Sequence, residues 1–472
     1  MTEGTSAEGS VYAQGEVQGG GTEHYGLRAG ALGPVETLAQ SVSAMAPSTS
    51  ASLTIPLVFA LAGDGTWFVY LLATCAILLV GFCVSRFARL SASPGSLYTY
   101  TADTLPEAFG VMAAWGLLLA YLGIGGSVAG GALYYTDLLS HQFLHWAPPA
   151  LLTLAVVCVA AALVAYRDVK LSAEVMLWIE VGSVSLVVIV LAAMLARYGL
   201  HPDWDQFRLK RVSFSALGPA LVLSMFSFVG FESATTLGGE AREPLRTIPR
   251  AVLQCAILAG VFFMLCSYSE VLGFRGEPGR LSDTMSPLHL LAAKAGMSPL
   301  GIAIDFGAWI SMMACVLACT TAAARVLMRL GHDGLLPRAL EKTSERLGTP
   351  GTGIWLSAGL MLAGTAVMAL RGFSGAEMYD LLGSVSVFGF LTAYALVAIA
   401  LPFARKARGQ HSHMVLAVSA LTVLVLVLIT VYDLRSTADE LHARIPYVYL
   451  AYLAAGMIWY ALRRKSDGAR AG

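Results

Sequence analysis

Charge is what this sequence has least of. Only 13% of its 472 residues are Asp, Glu, Lys or Arg, against about 25% in soluble domains, while 57% are hydrophobic. A water-soluble chain of this length needs far more polar surface to cover itself. The formal net charge is zero, so the basic footprint of a nucleic-acid-binding protein is missing. The seven cysteines, Cys75, Cys83, Cys158, Cys255, Cys266, Cys315 and Cys319, all fall inside apolar runs, where a thiol acts as a small hydrophobe. They imply no disulfide framework. Cys315 and Cys319 share a helix face, but nothing nearby completes a metal set, so packing is their expected role and no cofactor is expected. Residues 1–30 hold few large apolar side chains and lack the basic start and apolar core of a signal peptide. Such a stretch cannot bury enough surface to order itself, and it reads as a disordered tail.

What is present is a series of apolar runs of about 20 residues, the length of a helix across a bilayer core. They are continuous rather than alternating, which excludes a membrane barrel. Twelve spans are expected, at 36–62, 67–88, 108–139, 149–166, 171–196, 214–239, 250–272, 300–330, 353–370, 377–403, 413–432 and 446–463. With the amino terminus inside, most Lys and Arg fall on the cytoplasmic side, including Arg86, Arg89, Arg325, Arg405, Lys406, Arg408, Arg463, Arg464 and Lys465. Arg208, Lys210 and Arg211 run against that majority. The positive-inside rule therefore puts both termini in the cytoplasm. No Lys or Arg is expected in the middle of a span.

Two spans are interrupted. Ser41–Pro56 reads SVSAMAPSTSASLTIP, with Pro47 in mid-segment, where proline removes a hydrogen bond and clashes with the preceding turn. The Ser and Thr that follow can re-satisfy freed backbone groups. The sixth span, from Leu223, reads LSMFSFVGFESATTLGGEA, with Gly230 in its middle and Glu232 just after. Interrupted segments in matching positions of two five-helix halves mark an inverted-repeat transporter. The expected fold is therefore an all-α membrane protein of twelve transmembrane helices. Residues 31–200 and 201–405 make a five-plus-five inverted repeat with broken helices 1 and 6. Residues 406–472 add two accessory helices and a short tail.

The stretch FSFVGFESATTLGGEAREPLRTIPRA, Phe226 to Ala251, resembles the amino acid permeases of the amino acid–polyamine–organocation superfamily, in particular arginine/agmatine-antiporter-like permeases. AAARVLMRLGHDGLLP, Ala322 to Pro337, followed by Gly348-Thr349-Pro350, resembles the loop after helix eight in that family. The resemblance implies a LeuT-like fold and secondary transport of an amino acid. Thr49, Ser50 and Ala51 stand where the family commonly has a Gly-Ser-Gly turn.

An amino acid at the bilayer midplane carries a carboxylate and an ammonium, both costly to dehydrate. The ends of a broken helix carry about half a charge each. The resemblance implies that the N–H end near Ser48, Thr49, Ser50 and Ala51 holds the carboxylate. It likewise implies that the carbonyl end around Phe226, Ser227 and Val229 holds the ammonium. Phe226, Phe228, Gly230 and Phe231 complete the break, and Phe226 matches an aromatic gate of the family.

Glu180, Glu232, Glu270 and Asp305 lie inside apolar spans. Each costs about 2.5–3.5 kcal/mol at a helix centre if ionised and unpaired, so such acids face a cavity and can carry a proton. Glu232 follows the break directly and is the first candidate for coupling, with Glu180 second. Glu270 and Asp305 sit nearer the outer ends and can reach the interface. Thr320 and Thr321 resemble a hydroxyl pair that helps ligate sodium in related transporters. The histidines fall in loops or tails, which disfavours a histidine relay, and a coupling proton is favoured over sodium. An amine or polyamine carrier of the same fold stays open. A channel would show a filter loop or pore rings, and a membrane enzyme a metal or nucleophile cluster. Neither pattern is found.

Overall fold

A computed structural model describes residues 25–198, 202–209, 212, 214–276, 278–284, 286–435 and 440–471. Among these residues every regular element is a helix, and an isolated bridge between Leu32 and Ala241 is the one β-type pairing. Ten helices are long and apolar enough to cross a membrane by length and composition. The first of these ten, Pro34–Ala88, is counted as one stretch although it turns at Gly63–Gly65, and Leu217–Phe226 is a shorter apolar helix.

The elements run as follows. Helix α1 is Pro34–Met45, and the chain resumes as α2 over 47–62. Next come α3 (Thr66–Ala88), α4 (Leu97–Ala102), α5 (Glu107–Leu144), α6 (Ala150–Arg167) and α7 (Val169–Tyr198). Helix α8 is Phe214–Phe226, followed by a 3₁₀ turn at Ser233–Leu237. The remaining long helices are α9 (Pro244–Gly273), α10 (Ser298–His332), α11 (Gly351–Leu370), α12 (Gly375–Ala407), α13 (His413–Arg435) and α14 (Glu440–Ala471).

Local chemistry sets several of these boundaries. Prolines open α1, α9 and α10 near their first positions, where the missing N–H has no partner to lose. Ser374 and Glu377 form a reciprocal capping box at the start of α12. Helices α5 and α12 meet along a glycine seam. A Cβ on Gly389 would lie 2.4 Å from the carbonyl oxygen of Gly116, and one on Gly375 2.5 Å from that of Gly130. Small residues let membrane helices approach this closely, and the seam fixes the faces that carry Tyr121 and Tyr394.

The tail expected over residues 1–30 lies outside the described residues as far as residue 24, and so do Lys210 and Arg211. From Tyr25 the chain rests on one end of the bundle. The Tyr25 ring lies under the Arg329 guanidinium, Leu27 is buried, and Arg28 pairs with Asp168. This tail end also holds the α4 segment and the loop after α10. The far end holds the turn at Gly63–Gly65, where Arg275 binds Asp64 at 2.9 Å and Asp203 at 2.7 Å.

Arg325, expected in a connection, is inside the bundle. It is 2% exposed on α10 and forms a doubly bonded pair with Glu240, 0% exposed, at 2.8 and 2.5 Å. A third bond runs from Arg325 to the Thr321 carbonyl at 2.9 Å. The guanidinium is tolerated there because carboxylate and carbonyl oxygens receive its donors.

Candidate substrate-binding site

The two interrupted spans meet at the centre of the bundle. The first breaks at Ala46, which adopts a left-handed conformation (φ 47°) just before Pro47. Ser48, Thr49, Ser50 and Ala51, expected at the break itself, lie in the resumed helix instead. The chain then widens into a π-helical turn at Ser50–Thr54, a distortion that frequents functional sites. That turn takes in Ser50 and Ala51, while Thr49 precedes it.

In the sixth span α8 ends at Phe226. Turn-type bonds replace its ladder, from Ser227 N to Ser224 O at 3.1 Å, Phe228 N to Met225 O at 3.0 Å and Phe231 N to Phe228 O at 3.2 Å. Gly230 has φ 96°, a conformation costly for any other residue. Side chains tie the breaks together. Ser233 Oγ donates to the Gln40 carbonyl at 3.1 Å, and the Ala234 amide donates to Ser41 Oγ at 3.0 Å.

A cavity of about 10 Å³, room for roughly one water, lies between the breaks. The first break contributes Ala44, Met45, Ala46, Thr49 and Ser50, and the second contributes Phe226 and Val229. Ile124 and Val128 of α5, Cys315 of α10 and Tyr379 of α12 close it. Of the ten residues expected to bind substrate, Thr49, Ser50, Phe226 and Val229 line this space. Ser48, Ala51, Ser227, Phe228, Gly230 and Phe231 do not line it. Cys315, expected only to pack, lines the cavity and donates its S–H to the Ala44 carbonyl at 3.3 Å.

The three phenylalanines divide by role. Phe228 packs on Phe263 (5.1 Å between centroids) and Tyr70, while Phe231 packs on Tyr394 (5.6 Å). Phe226 lies edge-on to Tyr379 at 5.3 Å and covers Gly383, where a Cβ would meet its ring at 2.5 Å. Phe226 also lines a second pocket of about 420 Å³ that opens at the far end, with Asp380, Ser384 and His442 among its walls. One aromatic ring thus stands between the small cavity and the open pocket.

Toward the tail end the site is closed by several layers. Glu232 is 0% exposed and accepts hydrogen bonds from the Tyr121 hydroxyl at 2.9 Å and from the Tyr394 hydroxyl. Ser96 pairs with Thr235 next, and the Glu240–Arg325 pair lies beyond. Sequence reasoning found Glu232 but not its two phenol partners.

The other acids differ. Glu180 accepts from Ser311 Oγ at 2.9 Å, and its second oxygen has no partner. One turn on, Ser183 donates to Ser48 at 2.6 Å, so the Glu180 region touches the start of α2. Asp305 is held by His289 at 2.5 Å, and this histidine sits in the short helix Pro287–Lys294 rather than in the loop expected for it. Thr320 donates to the Val316 carbonyl at 2.7 Å, while the Thr321 hydroxyl is buried without a partner. Neither threonine lines the cavity. Among the described residues, no group of three or more His, Cys, Asp or Glu could hold a metal ion.

Comparison with known proteins agrees with this architecture. The family model described as amino acid permease matches residues 32–455. The branched-chain amino acid permease BcaP of Bacillus subtilis (strain 168) is 24% identical over 364 residues, covering 73% of this chain and 74% of that relative. The low-affinity putrescine importer PlaP of Escherichia coli (strain K12) is 25% identical, covering 70% and 71%. The crystal structure of MhsT in complex with L-phenylalanine superposes with a TM-score of 0.54 at 16% identity, covering 84% of this chain and 98% of that one.

Proposed function

The chain belongs to the amino acid permease family, a multi-pass membrane transport protein and not an enzyme, and we propose that it carries a neutral amino acid by alternating access to the cavity between its two broken helices. The observation that carries this reading is the cavity itself. It has a helix amino terminus on one side, a helix carboxyl terminus on the other, and no charged side chain among its lining residues. The start of α2 offers N–H groups to a carboxylate, and the end of α8 offers carbonyls to an ammonium. Ile124, Val128, Met45 and Cys315 leave an apolar wall for the substrate side chain.

That wall favours a zwitterion with a small apolar side chain. A diamine carries a second ammonium and calls for a carboxylate in the pocket, and none lines it. BcaP, named as a branched-chain permease, fits the first reading, and PlaP, named as a putrescine importer, marks the alternative.

Twelve crossings follow when Pro34–Ala88 is divided at Gly63–Gly65 and the broken sixth span is counted with the rest. The five-plus-five repeat and a cytoplasmic-membrane location with both termini inside are part of the same reading. In that orientation Phe226 is the outer gate, and the Tyr121–Glu232–Tyr394 layer is the inner one. Glu232 is the coupling residue for proton symport or exchange, because it sits directly beneath the break in the closed layer.

A thermal-shift screen of the purified protein against amino acids and amines tests this. A ligand stabilises the folded state according to its concentration over its dissociation constant. Small neutral amino acids should raise the midpoint. Stabilisation by diamines alone would support the amine carrier.

A further inference from the structure

The proton role proposed above uses Glu232 and leaves a second buried acid without a task. Glu270 lies on α9, one turn before its end, and is 0% exposed. Neither of its carboxyl oxygens has a hydrogen-bond partner. This contrasts with Glu232, which is fully bonded. The two acids also sit on opposite sides of the broken sixth span. Glu232 faces the tail-end layer. Glu270 lies toward the far end, close enough to interact electrostatically with Tyr70 and with Cys266. Tyr70 in turn shares a hydrogen bond of 3.1 Å with Ser227, the first residue past the end of α8. The orphan acid therefore neighbours the break through one tyrosine.

Among the described residues, neither a hydrogen-bond donor nor an ion-pair partner meets the Glu270 carboxyl group. On α3 its ionisable neighbour is Tyr70, and on its own helix Cys266. On the 287–294 helix Lys294 donates to the Gly273 carbonyl at 3.0 Å and covers the Phe274 ring, while His289 is engaged with Asp305. Beyond the helix end Arg275 is committed to Asp64 and Asp203. An ionised carboxylate with two bare oxygens is among the costliest groups to bury. The neutral acid is the form compatible with this closed packing.

We propose that Glu270 is a second protonation site, which takes a proton from water at the far end and keeps it while the packing there stays closed over it. Loading forms an O–H bond on one carboxylate oxygen and takes the side chain from −1 to neutral. Release is the reverse when the far end opens and water reaches it. The Tyr70–Ser227 bond ties this event to the break that frames the substrate cavity. This inference rests on the transporter reading, and it adds a protonation site beside Glu232.

The test compares wild type with Glu270→Gln, which keeps the neutral shape. In proteoliposomes, wild-type amino acid uptake should vary with pH, and the variant should bind substrate normally in a thermal-shift assay while its pH dependence flattens at least about twofold. A variant that transports with the wild-type pH profile would overturn the proposal. Infrared difference spectroscopy on wild-type protein between acidic and alkaline buffer gives an independent reading. A protonated-carboxyl band missing in Glu270→Gln supports the assignment. Should that variant not fold, Glu270→Asp must shift the band, and an unshifted band would overturn it. Failure of wild-type protein to move any amino acid would sink the transporter reading, and the infrared band would still decide whether Glu270 binds a proton.

Discussion

Gly230 of the second break rests on Ala44 of the first. A Cβ built on Gly230 would lie 2.9 Å from both the Cβ and the carbonyl oxygen of Ala44. The two interruptions are thus parts of one contact, and Gly230 makes it possible through both its missing side chain and its φ of 96°. Gly230→Ala is expected to strain the backbone by about 1–3 kcal/mol and to push the breaks apart. Uptake in proteoliposomes should fall at least tenfold, with a lower thermal midpoint in detergent. Full activity would mean that the contact is incidental.

Phe226 separates the small cavity from the open pocket and seals against Tyr379 and Gly383. Phe226→Ala removes the seal from a site already bordered by free space, so the folding cost should fall at or below the usual range of about 3–5 kcal/mol for this truncation. The expected outcome is a monodisperse protein with strongly reduced uptake. Normal uptake would reduce Phe226 to packing.

The carboxylate of Glu232 accepts from two phenols, one on α5 and one on α12. Glu232→Gln replaces one acceptor with a donor, leaving one phenol facing an N–H group. Apparent affinity for a zwitterion should change little while the pH dependence of uptake weakens. Tyr394→Phe should loosen the same layer without removing the acid, keeping pH dependence but speeding exchange. An unchanged pH profile in Glu232→Gln would remove the coupling role.

Glu240 and Arg325 form a fully buried pair. Arg325→Met strands the Glu240 charge and should cost about 3–5 kcal/mol, whereas the double change with Glu240→Gln should recover much of that loss. A double-mutant cycle read from thermal stability measures it. Additive losses would contradict a coupled pair.

At the far end, burial disfavours the charged form of Asp203, but its bonds to Arg275 and Gln206 outweigh burial and hold the carboxyl below its usual range. A folded value below the unfolded one stabilises the protein above the unfolded pKa, and this stabilisation fades as pH falls through the folded value. Asp203→Asn should therefore lower the thermal midpoint at neutral pH, and the difference from wild type should shrink as the pH falls below the usual carboxylate range. An equal difference at all pH values would rule out this ion pair as the cause.

The breaks were legible because Pro47 and Gly230 are chain-level exceptions inside apolar runs. Position was less so. Proline marks the first break, but the turn falls one residue earlier, at Ala46, whose side chain gives no signal. The site walls were hidden for a physical reason. Ile124, Val128 and Cys315 look like any other apolar residues in apolar helices, and only packing shows that they face a cavity. Tyr121 and Tyr394 lie 111 and 162 residues from Glu232, so no local pattern connects them. Arg325 was read as a connection residue because its partner Glu240 is 85 positions away.

The central claim is that substrate occupies the cavity between the breaks, and Cys315 provides a native reporter on its wall. The deciding measurement is the rate of thiol modification of Cys315 in a variant whose other six cysteines are replaced, with and without amino acid. A transported neutral amino acid should slow the modification in a concentration-dependent way that follows its thermal stabilisation. Modification at an unchanged rate under saturating transported substrate would place the binding site elsewhere.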